Sequence, residues 1–319
     1  MKKVLITGIT GFVGQHLAYE LLSQKEYHVT GTYRSASSLD QLGELQDQIT
    51  LKLLNLDNPD AVSEFFKDEK PDHIYHLAAQ ASPFLSFKNP SDTITNNIIA
   101  QLNVFEALRE HAMKSTRVLS VATGEMYGVV KPSDIPIDED TPLRPISPYS
   151  VSKIAQDYMS LQYVLAHDLD IVRMRPFNHI GPGQKEGYVV ADFAKQIAEI
   201  EKGKREPILS VGNLEAKRDF TDVRDMVKGY VLALEKGEKG EVYNIGSGNS
   251  HRINDMLQLL LSYSTKMVEL KIDPARFRPI DVPEVVCDYG KFHKRTGWKP
   301  EIPFEKTLQE ILDYWRKIV

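Results

Sequence analysis

Cysteine is nearly absent: Cys287 is the one such residue among 319, which excludes an internal disulfide and any cysteine-cluster metal centre. A lone thiol fits a reducing compartment, where it serves as a small buried hydrophobe. Long apolar runs are missing as well. Residues 1–6 open into an apolar run too short for a signal peptide, and no later run approaches membrane-spanning length. A cytoplasmic protein with no membrane partner is the expectation. Basic charge is not in surplus: 39 Lys and Arg against 44 Asp and Glu give a net charge of −5. That argues against a nucleic-acid partner and leaves room for a local basic pocket around a phosphate. Repeats and low-complexity tracts are lacking, so a string of linker-separated units is not expected. What remains is ordinary globular composition, 42% hydrophobic and 26% charged, at a length that suits one large domain or two unequal ones.

The stretch that organises the chain is SPYSVSK at 147–153. Pro148 sits where a helix can begin, because its missing N–H is one of the donors that a first turn leaves unpaired. Ile154, Ala155, Tyr158, Met159, Leu161 and Val164 follow at helical spacing. Tyr149 and Lys153 are four residues apart and share one helix face. A cation beside a phenol favours the phenolate and lowers its pKa, which suits proton exchange with a carbinol oxygen near neutral pH. A surface helix that happens to carry Tyr and Lys at this spacing is the plain alternative.

Upstream, residues 4–7 form a short β-branched run, GITGFVG occupies 8–14, and 16–22 read as helix. Strand, glycine turn and helix in that order cradle a pyrophosphate: Gly8, Gly11 and Gly14 let backbone N–H groups approach it, and Phe12 and Val13 within the turn are further candidate cofactor contacts. A tight turn that needs glycine for its geometry would look similar. The spacing is GxxGxxG, different from the GxGxxG of the commonest dehydrogenase domains. A second strand at 27–32 leads to Tyr33 and Arg34, where an NAD-specific site places a carboxylate on the ribose. Arg34, with Ser35, suits a 2′-phosphate, so NADP(H) is expected ahead of NAD(H). Strands at 49–55, 73–79 and 117–123 complete this half. Asn55 and Leu56 are candidate adenine contacts, and Leu77, Ala78 and Ala79 would lie along the cofactor. His76 on a buried strand reads as a satisfied core histidine. A helix from Asn96 to about His111 precedes the last of these strands. The alternation indicates an α/β fold with a Rossmann-type, doubly wound parallel sheet.

Four features stand in order: GITGFVG, HLAA at 76–79, ATGEMYG at 122–128 and PYSVSK at 148–153. Together they resemble the extended short-chain dehydrogenase/reductase family of nucleotide-sugar epimerases, dehydratases and reductases, over essentially the whole chain. The resemblance implies that Thr123 hydrogen-bonds the sugar oxygen and that Tyr149 exchanges its proton. It also implies that Lys153 lowers the Tyr149 pKa and holds the nicotinamide ribose. RPFNHIGPGQ at 175–184 and VGNLEAKRDFTDVRD at 211–225 resemble the GDP-mannose branch. By that resemblance Asn178, Lys217, Arg218 and Arg278 hold the diphosphate of a GDP-linked sugar, and guanidinium forks pair well with phosphate oxygens. An Arg218–Asp219 ion pair at a domain seam is the other reading. The implied division gives residues 1–177, with about 217–250 returning, to the dinucleotide domain. Residues 178–216 and 251–319 form a smaller sugar-nucleotide α/β domain.

Two activities of that branch compete. The resemblance implies reduction of the 4-keto group of GDP-4-dehydro-6-deoxy-D-mannose to GDP-D-rhamnose. A GDP-mannose 4,6-dehydratase with tightly bound NADP needs two more acid/base groups, which in related dehydratases follow the threonine as Ser or Asp and then Glu. Here Glu125 keeps the second, but Gly124 stands at the first, on the substrate side, and offers no side-chain donor. A non-catalytic NADP-sensing protein on the same fold is the third reading; the intact Thr123, Tyr149 and Lys153 set speaks against it. The family also implies a homodimer through a four-helix bundle of the helices near Asn97 and Tyr149. Ile98, Leu102, Phe105 and Leu108 with Ile154, Tyr158, Leu161 and Leu165 would include the sheet-facing residues. Ile99, Val104, Ala107, Met159 and Tyr163 would face the partner.

Overall fold

The computed structural model describes residues 1–277 and 280–319. Its first half runs β1 (Lys2–Thr7), α1 (Phe12–Ser23), β2 (Tyr27–Tyr33), β3 (Thr50–Leu53), α2 (Pro59–Asp68), β4 (His73–His76), α3 (Pro83–Lys88), α4 (Pro90–Glu110) and β5 (Arg117–Val121). Next come α5 (Pro148–His167), β6 (Asp170–Pro176), β7 (Asn178–Ile180), α6 (Val189–Glu201), β8 (Ile208–Val211), β9 (Lys217–Asp222), α7 (Val223–Lys236) and β10 (Val242–Ile245). The chain ends with β11 (Ser250–Arg252), α8 (Ile253–Ser262), β12 (Glu269–Ile272), α9 (Gly290–Thr296) and α10 (Phe304–Ile318).

β10, β6, β5, β4, β1, β2 and β3 lie side by side in that order, each pair parallel. The order reverses between β1 and β4, which opens a crevice at the C-terminal strand ends. β1 is apolar on both faces, as a strand covered on each side must be. Val4 and Ile6 pack with Leu17, Leu21 and Met226 of α1 and α7, while Leu5 packs with Phe105, Val118 and Ile171 on the other side. This is the Rossmann-type sheet that the alternation of strands and helices implies, with the strand at 242–245 rejoining it beside β6. A separate core of Ile180, Phe193, Ile197, Leu257 and Trp315 underlies the C-terminal elements. Within 217–250, α7 packs on the large sheet and β10 extends it, whereas β9 pairs with β7 and β11.

Local differences from the sequence reading have physical causes. β3 and β4 stop at Leu53 and His76, short of the ends of their apolar runs, and the residues beyond them leave the sheet. α4 begins at Pro90, six residues ahead of Asn96, because proline serves its first turn. Its early turns carry polar residues that hide it from an apolar pattern, yet Thr93 and Asn97 are buried. On α5 the two stripes of the expected bundle are also interchanged, whereas on α4 Phe105 and Leu108 are buried as expected, with Val104 and Ala107 buried beside them. Tyr163 is buried and Met159 packs against the same core, while Tyr158 and Leu165 are 53% and 77% exposed. The seam between α4 and α5 is polar: Asn97 donates to Ser152 at 2.9 Å, Gln101 to the Gln156 carbonyl at 2.7 Å, and Gln156 to the Asn97 carbonyl at 2.8 Å. Apolar periodicity leaves such a seam out, and on α5 this exchanges the two faces.

Candidate active site

α1 starts after Gly11 with no side-chain cap, leaving its first-turn N–H groups for an anion. Gly8 has a φ of +75°, and a Cβ there would lie 2.9 Å from the Ala78 backbone. A Cβ at Gly14 would meet the Gly8 carbonyl oxygen at 2.6 Å. The turn is therefore packed backbone to backbone, with the Ala78 N–H fixed on Thr7 Oγ1 at 3.2 Å. This cradle, with Phe12 and Val13 at the helix start and Leu77, Ala78 and Ala79 alongside, fits a dinucleotide. Bound there, a nicotinamide cofactor supplies hydride chemistry. At the neighbouring strand ends the Arg34 side chain is 72% exposed, with Nη1 4.0 Å from Asp57 Oδ2. Asn55 Oδ1 accepts from the Asp57 N–H at 3.2 Å, and Asn103 donates to the Leu56 carbonyl at 2.7 Å.

Ser147 caps α5 by accepting from the Ser150 N–H at 3.1 Å, and Pro148 opens the helix. That start buries Tyr149 and Lys153 beneath the end of β5. Lys153 Nζ donates to the Val121 carbonyl at 2.9 Å, and the Thr123 hydroxyl lies near enough to the Tyr149 phenol to act on its pKa. Thr123 Oγ1 also accepts from the Glu125 N–H at 3.2 Å, capping a 3₁₀ turn over Gly124–Met126. The structure thus brings Thr123, Gly124, Glu125, Tyr149 and Lys153 together.

The electrostatics depart from the simple Tyr–Lys argument. Burial pushes the Tyr149 phenol above the ordinary tyrosine value; Tyr188 and Glu125 add to this, and Thr123 opposes it. Burial also brings the Lys153 ammonium down to about 7. Lys153 therefore does not lower the Tyr149 pKa here: its ammonium is turned to a carbonyl and desolvation dominates both groups. Near neutral pH Tyr149 is a protonated phenol, an acid able to serve an oxygen that gains charge. His76 is a core histidine as expected, but it is satisfied on one nitrogen only, since its buried Nε2 has no hydrogen-bond partner. Its Nδ1 lies 3.0 Å from Thr7 Oγ1, and burial, with the Lys153 charge, holds its pKa down to about 3.

On the substrate side a cavity of about 230 Å³ opens beside Glu125 and Ser147, walled by Phe84, Phe87, Phe277 and Ile280. Asn178 Nδ2 donates to the Asp219 carbonyl at 3.3 Å. Arg218 donates to the Val282 carbonyl at 2.7 Å and pairs with Asp281, and Lys217 lies 3.5 Å from Glu284. The Arg218–Asp219 pair does not form, since neighbours on a strand face opposite sides. The buried Asp219 carboxylate instead accepts the N–H groups of Ser247, Gly248 and Cys287. Arg278 lies outside the described residues.

Asp157 escaped the sequence reading. It is buried in mid-α5, where its Oδ2 accepts from Arg175 at 2.8 Å and from Arg173 at 3.2 Å. Arg175 also donates to the Tyr127 hydroxyl at 2.9 Å. The clue was present: two arginines at alternate positions of one buried strand share a face and require a carboxylate. The triad ties α5, with Tyr149 and Lys153, to β6.

Thr123, Tyr149 and Lys153 gathered at the end of β5, with a dinucleotide cradle on the same sheet, are the arrangement of the short-chain dehydrogenase/reductase class, here in its extended form. Within that class the chain belongs to the GDP-mannose 4,6 dehydratase family, which residues 5–311 match. It is 33% identical to the GDP-6-deoxy-D-mannose reductase of Pseudomonas aeruginosa, over 100% of this chain and 98% of that protein. The solved structure of Pseudomonas aeruginosa RMD complexed with NADPH superposes with a TM-score of 0.85 at 32% identity, covering 100% of both chains. The UDP-glucose 4-epimerase of Thermus thermophilus, complexed with NAD, gives 0.87 at 28% identity, over 99% of this chain and 100% of that one. Among the described residues no helix is long and apolar enough to cross a membrane.

Proposed function

We propose that the protein uses NADPH to reduce the 4-keto group of GDP-4-dehydro-6-deoxy-D-mannose, giving GDP-D-rhamnose. Gly124 carries this reading. It is buried against the Phe177 ring, where a Cβ would come within 2.9 Å, so no acid/base side chain stands between Thr123 and Glu125. A reduction needs only one proton donor, and Tyr149 is protonated by virtue of its burial. Tyr149 gives that proton to the sugar C4 oxygen as the oxygen gains charge, Thr123 holds the same oxygen, and Lys153 holds the nicotinamide ribose. Asn178 and Arg218 bind the diphosphate; Lys217, half-exposed beside Glu284, is the weaker member of that set. Arg34 takes the 2′-phosphate, in keeping with the NADPH held by the Pseudomonas aeruginosa protein.

The retained Glu125 at the cavity wall favours one second reading, a GDP-mannose 4,6-dehydratase. The test is direct: enzyme, NADPH and the keto sugar nucleotide should consume cofactor and yield a product with a C4 hydroxyl by NMR. Conversion of GDP-mannose without net cofactor oxidation would favour the dehydratase.

The protein acts in the cytoplasm on this reading, in keeping with its single buried free thiol, Cys287. It forms a homodimer across α4 and α5. Support for the dimer comes from Val151, Tyr158 and Leu165, exposed at seven-residue spacing along α5.

A further inference from the structure

The segment 181–188, between β7 and α6, crosses the crevice. Its start is seated on α1, where His16 Nε2 lies 2.9 Å from the Pro182 carbonyl oxygen. Lys185 then donates to Gln41 at 2.5 Å, on the stretch that follows β2. The Tyr188 hydroxyl donates to the Ala81 carbonyl at 3.4 Å, on the loop that follows β4. β2 and β4 flank β1, so the segment straps the C-terminal ends of all three strands, across the Gly8–Gly14 turn. The reversal before Tyr188 is made at Gly187, with a φ of +102°, and its N–H is held by Asp192 Oδ1 at 2.7 Å. Asp192 Oδ2 takes Arg276 at 3.3 Å, next to Phe277 of the cavity wall. One carboxylate therefore fixes both the strap and the far wall of the cavity.

We infer that Tyr188 is a further substrate-site residue, a phenol carried by this strap to the reacting end of the crevice, where it closes over the sugar and donates a hydrogen bond to it. The inference rests on the sugar-nucleotide reading above. The bond to Ala81 is long, so a nearer sugar oxygen replaces it at little cost. Tyr188 stays 37% exposed, so its hydroxyl is free to exchange partners. After burial, Tyr188 is the largest influence holding the Tyr149 phenol up, so the two phenols lie within electrostatic reach of each other.

Tyr188→Phe tests this with three measurements: KM and kcat for the keto sugar nucleotide, and calorimetric affinities for NADPH and for GDP-mannose as a probe with no keto group to reduce. The variant should raise KM and weaken GDP-mannose binding by about tenfold, the worth of one hydrogen bond. kcat should fall less than KM rises, and NADPH affinity should stay at the wild-type value. Wild-type KM and GDP-mannose affinity in the variant would overturn the inference. So would a parallel loss of NADPH affinity, which would mark general damage to the crevice. A wild type that binds GDP-mannose but reduces no keto sugar defeats the reductase reading alone, and the calorimetry still decides Tyr188. A wild type that binds no GDP-linked sugar overturns both.

Discussion

The Lys153 ammonium donates to the Val121 carbonyl at 2.9 Å, two residues before Thr123. α5 is thereby pinned to the end of β5, and a cation is kept where water does not reach it. The consequence is a stability that depends on pH. The folded pKa of about 7 lies below the 10.5 of the free side chain. Between those values the unfolded chain carries a proton that the folded chain does not, so this group's penalty is complete below 7 and fades as pH rises. Lys153→Met abolishes the titration. Its stability relative to wild type, from denaturant unfolding, should be greatest near pH 7 and shrink towards about pH 10. A pH-independent difference would contradict the buried-ammonium assignment.

Tyr149→Phe should bind NADPH as the wild type does while turnover falls by about two to four orders of magnitude, the usual worth of a positioned general acid. Tyr149 is buried, so packing should keep the ring in place without its hydroxyl. Near-normal turnover in a folded variant would remove Tyr149 from the proposed role.

Arg34 is mostly exposed and only loosely paired with Asp57, at 4.0 Å, so little of the fold depends on it. Arg34→Ala should raise KM for NADPH about tenfold, on the order of 1.4 kcal/mol, with little change for NADH. Equal losses with both cofactors would mean that the guanidinium does not read the 2′-phosphate.

The interchange of helix faces makes the dimer testable by contrast. Tyr158 and Leu165 are exposed, whereas Met159 packs into the core beneath α5. Tyr158→Glu should split a homodimer and leave the protomer folded, because a C2 interface sets each new charge against its copy or a near neighbour. Met159→Glu should instead lower Tm. A wild type that sediments as a monomer at micromolar concentration would end the dimer proposal.

What was legible in the sequence was local. Gly8 and Gly14 mark their turn because close backbone packing leaves no room for a side chain, and Pro148, Tyr149 and Lys153 fall within two helical turns. What was hidden depends on partners far along the chain. Pro90 and the polar first turns of α4 make sense once Asn97 is seen meeting Ser152. Asp157 is explained only by Arg173 and Arg175 on β6. The expected lowering of the Tyr149 pKa failed for the same reason: spacing shows that a lysine is near, but burial decides the sign.

The central claim is that hydride goes to C4 of the sugar while Tyr149 supplies the proton to its oxygen. Turnover of GDP-4-dehydro-6-deoxy-D-mannose with NADPH deuterated at the transferable position tests it most directly. The product should carry deuterium at C4 and nowhere else, with one NADPH oxidised per sugar reduced, and Tyr149→Phe should form it at a small fraction of the rate. Absence of label at C4, or consumption of GDP-mannose with the cofactor pool unchanged, would contradict the account.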